Sequence, residues 1–335
     1  MKLLLYHRLI ENKGVIEMFS KIDPKESSKG STMKTNQRKR RKMTMKTKES
    51  LAGYIFIAPM LIGTTILVIL PIIAAFIMSF TDWVFVRGLG DLNFVGMDNY
   101  KMLLNDELFI KSVQNNIWLI FAVPLTMALS LLLAIIINKH VYISTFFKIV
   151  YFIPYISSVV AIAIVYQLLF HPSYGPVNEV LMAIGIDDPP RWLADSSWAL
   201  VSVIIITVWT SIGFNLIIYI AAIQNIPQDL YEAADIDGGG MWKKFKFITL
   251  PMLSPTTFFL LITGIIYSFK AFELIVVLTS GGPSYSTSVI VYYLYEQAFE
   301  NLRSGYASAI SIVLLCILLI ITAIQWFGQK KWVNY

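Results

Sequence analysis

The chain has 335 residues, 56% of them apolar and only 14% charged, with a mean hydropathy of +0.66. A soluble domain carries about a quarter charged residues, so this balance excludes an ordinary water-soluble protein and predicts an integral membrane protein. The net charge of +6 is unevenly placed, because 14 of the 27 Lys and Arg precede residue 50.

Residues 1–49 are polar and rich in Ser, Thr and Lys, with the basic run Arg38–Lys42. Beside a membrane span, such a run fixes topology or touches anionic lipid, and that role is preferred over nucleic-acid binding. No apolar h-region with a small-residue cleavage site follows the charge, so a signal peptide is not predicted and a mobile cytoplasmic tail is. Met18, Met33, Met43 and Met45 offer later starting points.

Six long apolar stretches follow, at about 51–80, 117–138, 149–170, 199–223, 254–280 and 305–327, within a membrane domain of residues 51–330. Each reaches the roughly 20 residues that a helix needs to cross about 30 Å of hydrocarbon. Pro59, Pro71, Pro124 and Pro154 lie inside them, which membrane helices tolerate where neighbours satisfy the freed carbonyl. The runs are continuous rather than alternating, which excludes a β-barrel and predicts an all-α integral membrane fold of six transmembrane helices.

With the N-terminus inside, the tail, Lys139, Lys148, Lys243, Lys244, Lys246, Lys330 and Lys331 all fall on the inner side. The outer segments hold only Arg87, Lys101, Lys111, Arg191 and Arg303, and Lys270 lies within a span. Both termini are therefore predicted to be cytoplasmic, together with segment 224–253. Outer segments 81–116 and 171–198 mix acidic and aromatic residues, which suits a protein-facing cap. In the third, 281–304, residues Ser288–Glu300 form either an interfacial helix or a re-entrant piece.

The single cysteine, Cys316, sits in an apolar run, and His7, His140 and His171 are scattered. No metal site and no catalytic constellation are predicted. A P-loop of the form G-x-x-x-x-G-K-[S/T] is absent too. Gly238–Gly240 followed by Lys243 and Lys244 lacks the hydroxyl after lysine, so any nucleotide chemistry belongs to another chain.

Segment 224–253 is the one amphipathic stretch held between two spans, and its pattern predicts helix, break, helix. Pro227, Asp229 and Glu232 suit a helix start, Ala233 and Ala234 favour helix, and Gly238 allows the left-handed residue that ends it. Trp242, Phe245 and Ile248 then recur about once per turn, away from Lys243, Lys244 and Lys246, and Pro251 ends the second piece. Two short helices with an apolar stripe fit a partner's groove, or equally rest on lipid headgroups.

Glu232-Ala233-Ala234, Gly238 and then Ile248-x-Leu250-Pro251 resemble the EAA signature of ABC importer permeases, at its usual spacing. Asn93–Tyr100, Leu278–Pro283 and Gly305–Ala309 are similar to sugar-importer permeases of the maltose, glycerol-phosphate and lactose type. The similarity covers residues 51–330. One departure is Gly239, where the family commonly has Ala, which is expected to loosen the turn and leave the motif intact.

The resemblance implies a type I ABC importer permease fold and a bacterial plasma-membrane location. It implies a heterodimer with a second EAA permease, two copies of an ATPase subunit that holds ATP and Mg, and an extracytoplasmic binding protein that hands over a saccharide. It assigns Glu232, Ala233, Ala234, Asp237, Gly238, Ile248, Leu250 and Pro251 to coupling with the ATPase. Sugar contacts correspond to Ser211 and Phe214 on the fourth span, and to Gly264, Ser268 and Ala271 on the fifth.

Thr207, Asn215 and Lys270 are added to that pathway because polar groups inside spans usually face a cavity or another helix. The small residues predict a roomy cavity, although Ser211 and Ser268 equally suit helix packing. Lys270 either pairs with Glu273 at i, i+3 or meets an anionic sugar. A secondary transporter is the alternative. It needs coupling-ion residues and paired broken helices, and neither is legible here.

Overall fold

The computed structural model describes residues 45–88, 90, 92–140 and 143–330. The chain falls into two compact units, one up to Met60 and one from Leu61. Of the first, Met45–Met60 are described; they lie in helix α1 (Met45–Thr64), with Tyr54, Ile55, Phe56 and Met60 exposed. The predicted tail before residue 45, with the basic run and His7, lies outside the described residues.

The second unit is all helical, with no strand among the described residues beyond an isolated bridge between Thr81 and Phe94. A π turn (Thr65–Ile69) leads from α1 into α2 (Leu70–Met78), then come α3 (Asp98–Leu104), α4 (Glu107–Ile120) and α5 (Ala122–His140). Next are α6 (Ser144–Ile156), α7 (Val159–Leu169), α8 (Pro176–Ala183) and the long α9 (Ala199–Gln224). Segment 224–253 holds α10 (Gln228–Ile236), α11 (Met241–Lys244), a π turn (Phe245–Thr249) and α12 (Leu250–Met252). Then follow α13 (Ser254–Phe269), α14 (Glu273–Leu278), α15 (Ile290–Tyr295) with a π turn to Glu300, and α16 (Ser304–Gln329).

Four helical stretches are long and apolar enough to cross a membrane: Ala52–Met78, Glu107–Asn138, Ala199–Gln224 and Ser304–Gln329. The number rises to 6 if each of two bent pairs makes one span. The third predicted stretch is not one straight helix, since α6 and α7 meet at 97° across Ser157 and Ser158. Pro154 lies in the last turn before that break, where a ring without N–H weakens the ladder. The second stretch begins ten residues earlier than predicted, at Glu107, because Asp106 caps α4 by accepting from the N–H of Leu108 (3.0 Å) and Phe109 (3.2 Å).

The fifth predicted stretch stops at Phe269, and Lys270–Phe272 break the chain before α14. At its other end Pro251 does not stop the helix. It lies within α12, and the chain bends by 61° between Met252 and Ser254. Residues 290–300 take the re-entrant alternative: Val289 and Ile290 are fully buried and Tyr293 nearly so, rather than lying on an interface.

Three apolar clusters locate the two ends of the bundle. Ile137, Ile223, Ile226 and Leu253 gather at the end that carries segment 224–253. The far end of α13, at Phe269, packs with Leu103, Phe109, Ile290 and Tyr306. The segments at 98–109 and 290–306 therefore sit opposite segment 224–253. Between these ends Leu119, Ile162, Ile206 and Ile275 join α4, α7, α9 and α14. Close helix approach is set by Gly213, where a Cβ would lie 2.1 Å from the Tyr151 carbonyl oxygen.

A polar row on α4 binds the re-entrant segment. Asn115 donates to the carbonyls of Tyr285 (3.0 Å) and Ser288 (2.8 Å), and the hydroxyls of Ser112 and Ser288 meet at 2.9 Å. Asn116 accepts from the Ile290 N–H at 2.9 Å and donates to the Ser268 carbonyl at 3.2 Å.

Candidate functional site

Two features stand out, a cavity within the helices and the amphipathic segment 224–253. The cavity, of about 450 Å³, is walled by α4, α5, α6, α7, α9, α13 and the α13–α14 break. All eight residues predicted for a substrate pathway line it: Thr207, Ser211, Phe214 and Asn215 from α9, Gly264 and Ser268 from α13, and Lys270 and Ala271 from the break. Their spacing on α9 (207, 211, 214 and 215) is one helical face, which is why one helix delivers four of them.

The lining is an apolar wall with scattered polar groups. Thr207 and Thr210 donate back to carbonyls one turn earlier, at 2.8 Å (Val203) and 3.0 Å (Ile206), and Ser268 does so to Ile265 at 2.7 Å. Each hydroxyl oxygen keeps acceptor capacity toward the cavity. Gly264 is small for a second reason, since a Cβ there would lie 2.7 Å from Cγ1 of Val123 on α5. Its smallness serves helix packing as well as space.

The Lys270–Glu273 pair is not formed. Among the described residues the ion pairs are Lys101–Asp98 and Lys244–Asp235. The helix ends between residues 269 and 273, so the i, i+3 geometry that pairing required does not exist. Both side chains instead line the cavity.

Sequence reasoning missed the aromatic contribution of α6. Tyr155 stacks on Phe214, with centroids 5.0 Å apart and planes at 23°, and Tyr267 of α13 lines the same cavity. The signal available was Pro154-Tyr155 followed by two serines inside a greasy run. Thr126 from α5 and Thr263 from α13 also line the cavity, and an isolated threonine in a span gives no sequence signal of its facing.

Segment 224–253 joins α9 to α13, the two helices that supply most of that lining. Its first helix ends as predicted at Gly238, which has φ +70°. The Gly238 N–H reaches the Asp235 carbonyl at 3.1 Å and the Gly239 N–H reaches the Ala234 carbonyl at 2.7 Å, a Schellman closure. Gly239 tightens this turn rather than loosening it, because a Cβ there would lie 2.8 Å from the Ala234 oxygen.

Glu232, Ala233, Asp237, Gly238 and Leu250 are exposed, whereas Ala234, Ile248 and Pro251 are half-buried. The predicted stripe of Trp242, Phe245 and Ile248 is split. The Trp242 and Phe245 rings touch at 5.6 Å, but Trp242 is 72% exposed while Ile248 packs into the core. The π turn at 245–249 widens the local repeat and moves Ile248 off that face.

Two braces absent from the sequence prediction hold the helices together. Lys244 pairs with Asp235, and the hydroxyls of Tyr231 and Thr249 meet at 2.9 Å. The segment thus offers a fixed pair of helices with Ile236 (88%), Met241 (75%), Trp242 and Phe247 (70%) exposed, an apolar patch that suits a partner surface.

Residues 126–333 match the family described as the binding-protein-dependent transport system inner membrane component. The chain is 34% identical over 285 residues to the lactose transport system permease protein LacF of Rhizobium radiobacter, covering 83% of this chain and 94% of that one. It is 35% identical over 282 residues to the arabinooligosaccharides transport system permease protein AraP of Bacillus subtilis, covering 82% and 87%. Among solved structures, it matches a bacterial ABC transporter involved in import of the acidic polysaccharide alginate, with a TM-score of 0.75 and 26% identity over 86% of this chain and 98% of the other. The chain therefore belongs to the binding-protein-dependent inner membrane components, the permeases of ABC transporters.

Proposed function

We propose that this permease carries a sugar or short oligosaccharide across a bacterial plasma membrane by alternating access, driven by ATP hydrolysis on a separate subunit. The observation that carries the proposal is the placement of segment 224–253 between α9 and α13. A displacement of that segment moves both helices that wall the cavity. Its rigid braces and exposed apolar side chains fit a helix pair seated in a partner's groove.

Six spans with both termini inside follow if each bent pair makes one crossing. In that arrangement the exposed face of 224–253, including Glu232, Ala233, Asp237 and Gly238, meets one ATPase copy. A second permease with its own copy completes the transporter. ATP and Mg are held by those ATPase subunits. A binding protein delivers the saccharide at the opposite end, as in the related alginate transporter crystallised with a pentasaccharide-bound periplasmic protein.

In the cavity, Tyr155, Phe214 and Tyr267 offer ring faces to the apolar side of a sugar. Ser211, Asn215, Thr207 and Ser268 supply hydrogen bonds, and Gly264 and Ala271 leave room. Lys270, unpaired with Glu273, adds a cation for an acidic saccharide.

Proteoliposomes that hold the permease pair and the ATPase test this directly. Uptake of saccharide presented by the binding protein is expected only with ATP on the ATPase side. Uptake sustained by an ion gradient without ATP would place the chain among secondary transporters instead.

A further inference from the structure

A second, smaller pocket of about 240 Å³ lies at the end of the bundle opposite segment 224–253, walled by Trp83, Met102, Arg303 and Tyr306. Its two sides are fastened together. The Gly305 N–H reaches the Trp83 carbonyl at 2.8 Å and the Phe85 N–H reaches the Ser304 hydroxyl at 3.1 Å. A Cβ at Gly305 would lie 2.1 Å from the Thr81 oxygen, so only glycine permits this seam. The Trp83 indole N–H is fixed on the Gly88 carbonyl at 2.9 Å.

Arg303 is delivered by a left-handed residue, Leu302 at φ +55°, a conformation uncommon outside glycine. Its guanidinium lies 4.7 Å from the Tyr306 ring centroid and donates to Met102 Sδ at 2.8 Å. Among the described residues no carboxylate lies within 4.0 Å of it. The acids beside the pocket are already engaged. Asp82 accepts from the backbone and side-chain N–H of Asn93 at 2.9 and 3.0 Å, and Asp98 pairs with Lys101 at 3.0 Å. The uncompensated charge here is therefore positive. Around it Phe85, Val86, Phe94, Met97 and Leu104 are exposed. Arginine, methionine and aromatic residues grouped in this way are the composition of protein–protein interfaces rather than of open surface.

We propose that this pocket is a socket for an Asp or Glu side chain of the substrate-loaded binding protein, with Arg303 as its anchor. The proposal rests on the importer function above and names the contact through which delivery is recognised. A planar guanidinium held flat on a ring presents its remaining N–H groups as a fork, which matches a carboxylate. An anionic lipid headgroup is disfavoured, because such sites gather several free Lys and Arg, whereas the neighbouring Lys101 is occupied by Asp98.

The test is ATP hydrolysis by the complete reconstituted transporter, titrated with saccharide-loaded binding protein. R303A is expected to raise the half-saturating concentration of binding protein roughly tenfold at an unchanged maximal rate, R303E more, and R303K less than R303A. Added salt is expected to weaken the wild type more than R303A. An unchanged half-saturation in both R303A and R303E would overturn the socket while leaving the importer function standing. A shift seen in anionic vesicles and absent in phosphatidylcholine vesicles would assign Arg303 to lipid and overturn it as well. If loaded binding protein fails to stimulate even the wild type, the importer function itself falls, and the socket with it.

Discussion

Gly238 concentrates the chemistry of the coupling segment in one backbone angle. At φ +70° it closes α10 and turns the chain toward α11, and nothing lies within 4 Å of where its Cβ would be. A side chain there meets strain of roughly 1–2 kcal/mol but no clash within this chain. Loss of function in Gly238 variants would therefore report on a partner. Asp106 shows a different kind of residue-level dependence. Burial pushes its carboxyl up, but hydrogen bonds from Tyr293, Tyr306 and the N–H groups of Phe109 and Leu108 outweigh this and hold it below the ordinary 3.8. A depressed carboxyl stabilises the fold above its unfolded value and loses that contribution as pH falls through its folded value. Thermal stability of the purified protein is thus expected to be flat from neutral pH to about pH 5 and to fall below about pH 4. D106N should be less stable at neutral pH and should flatten that acid limb; an unchanged limb would remove Asp106 from the account.

At the scale of elements, the polar row on α4 ties the re-entrant segment to the cavity wall. Asn116 is fully buried and serves two backbone groups at once, Ile290 N–H and Ser268 C=O. N116L leaves both without a partner, and the expected loss is roughly 1–3 kcal/mol per orphaned group. Chemical or thermal unfolding of the detergent-solubilised protein measures it, and a loss under about 0.5 kcal/mol would contradict the assigned bonds. The elements also show what was legible beforehand. Capping and turn residues act locally, so Pro227, Ala233, Ala234 and Gly238 revealed α10 and its end from sequence. Breaks inside greasy runs are invisible to hydropathy, because Ser157-Ser158 and Lys270 are averaged into apolar neighbours. The row Ser112, Asn115, Asn116 was hidden for the same reason, being polar residues in what looked like an outer loop. Long-range braces such as Tyr231–Thr249 and Lys244–Asp235 become visible only once the chain has folded back.

For the whole molecule, the predicted cavity residues came together because α9 and α13 each project one face inward, a periodicity the sequence carries. Tyr155 and Tyr267 were not foreseen as walls, since their placement depends on the 97° break that follows α6. Charge bias set the orientation, and this is open to a direct check. With Cys316 replaced by serine, a cysteine at Trp242 is expected to react with a membrane-impermeant thiol reagent only from the cytoplasmic side, and one at Ile184 only from outside. The reverse pattern would invert the topology. The central claim is that segment 224–253 transmits force from ATP hydrolysis to the cavity. The decisive measurement is ATP hydrolysed and saccharide taken up by the same proteoliposomes, for the wild type and for Gly238→Val. The account predicts that Gly238→Val inserts and pairs with the second permease, yet loses binding-protein-dependent uptake, either with hydrolysis uncoupled or with the ATPase no longer bound. Uptake and hydrolysis that both match the wild type in that variant would contradict it.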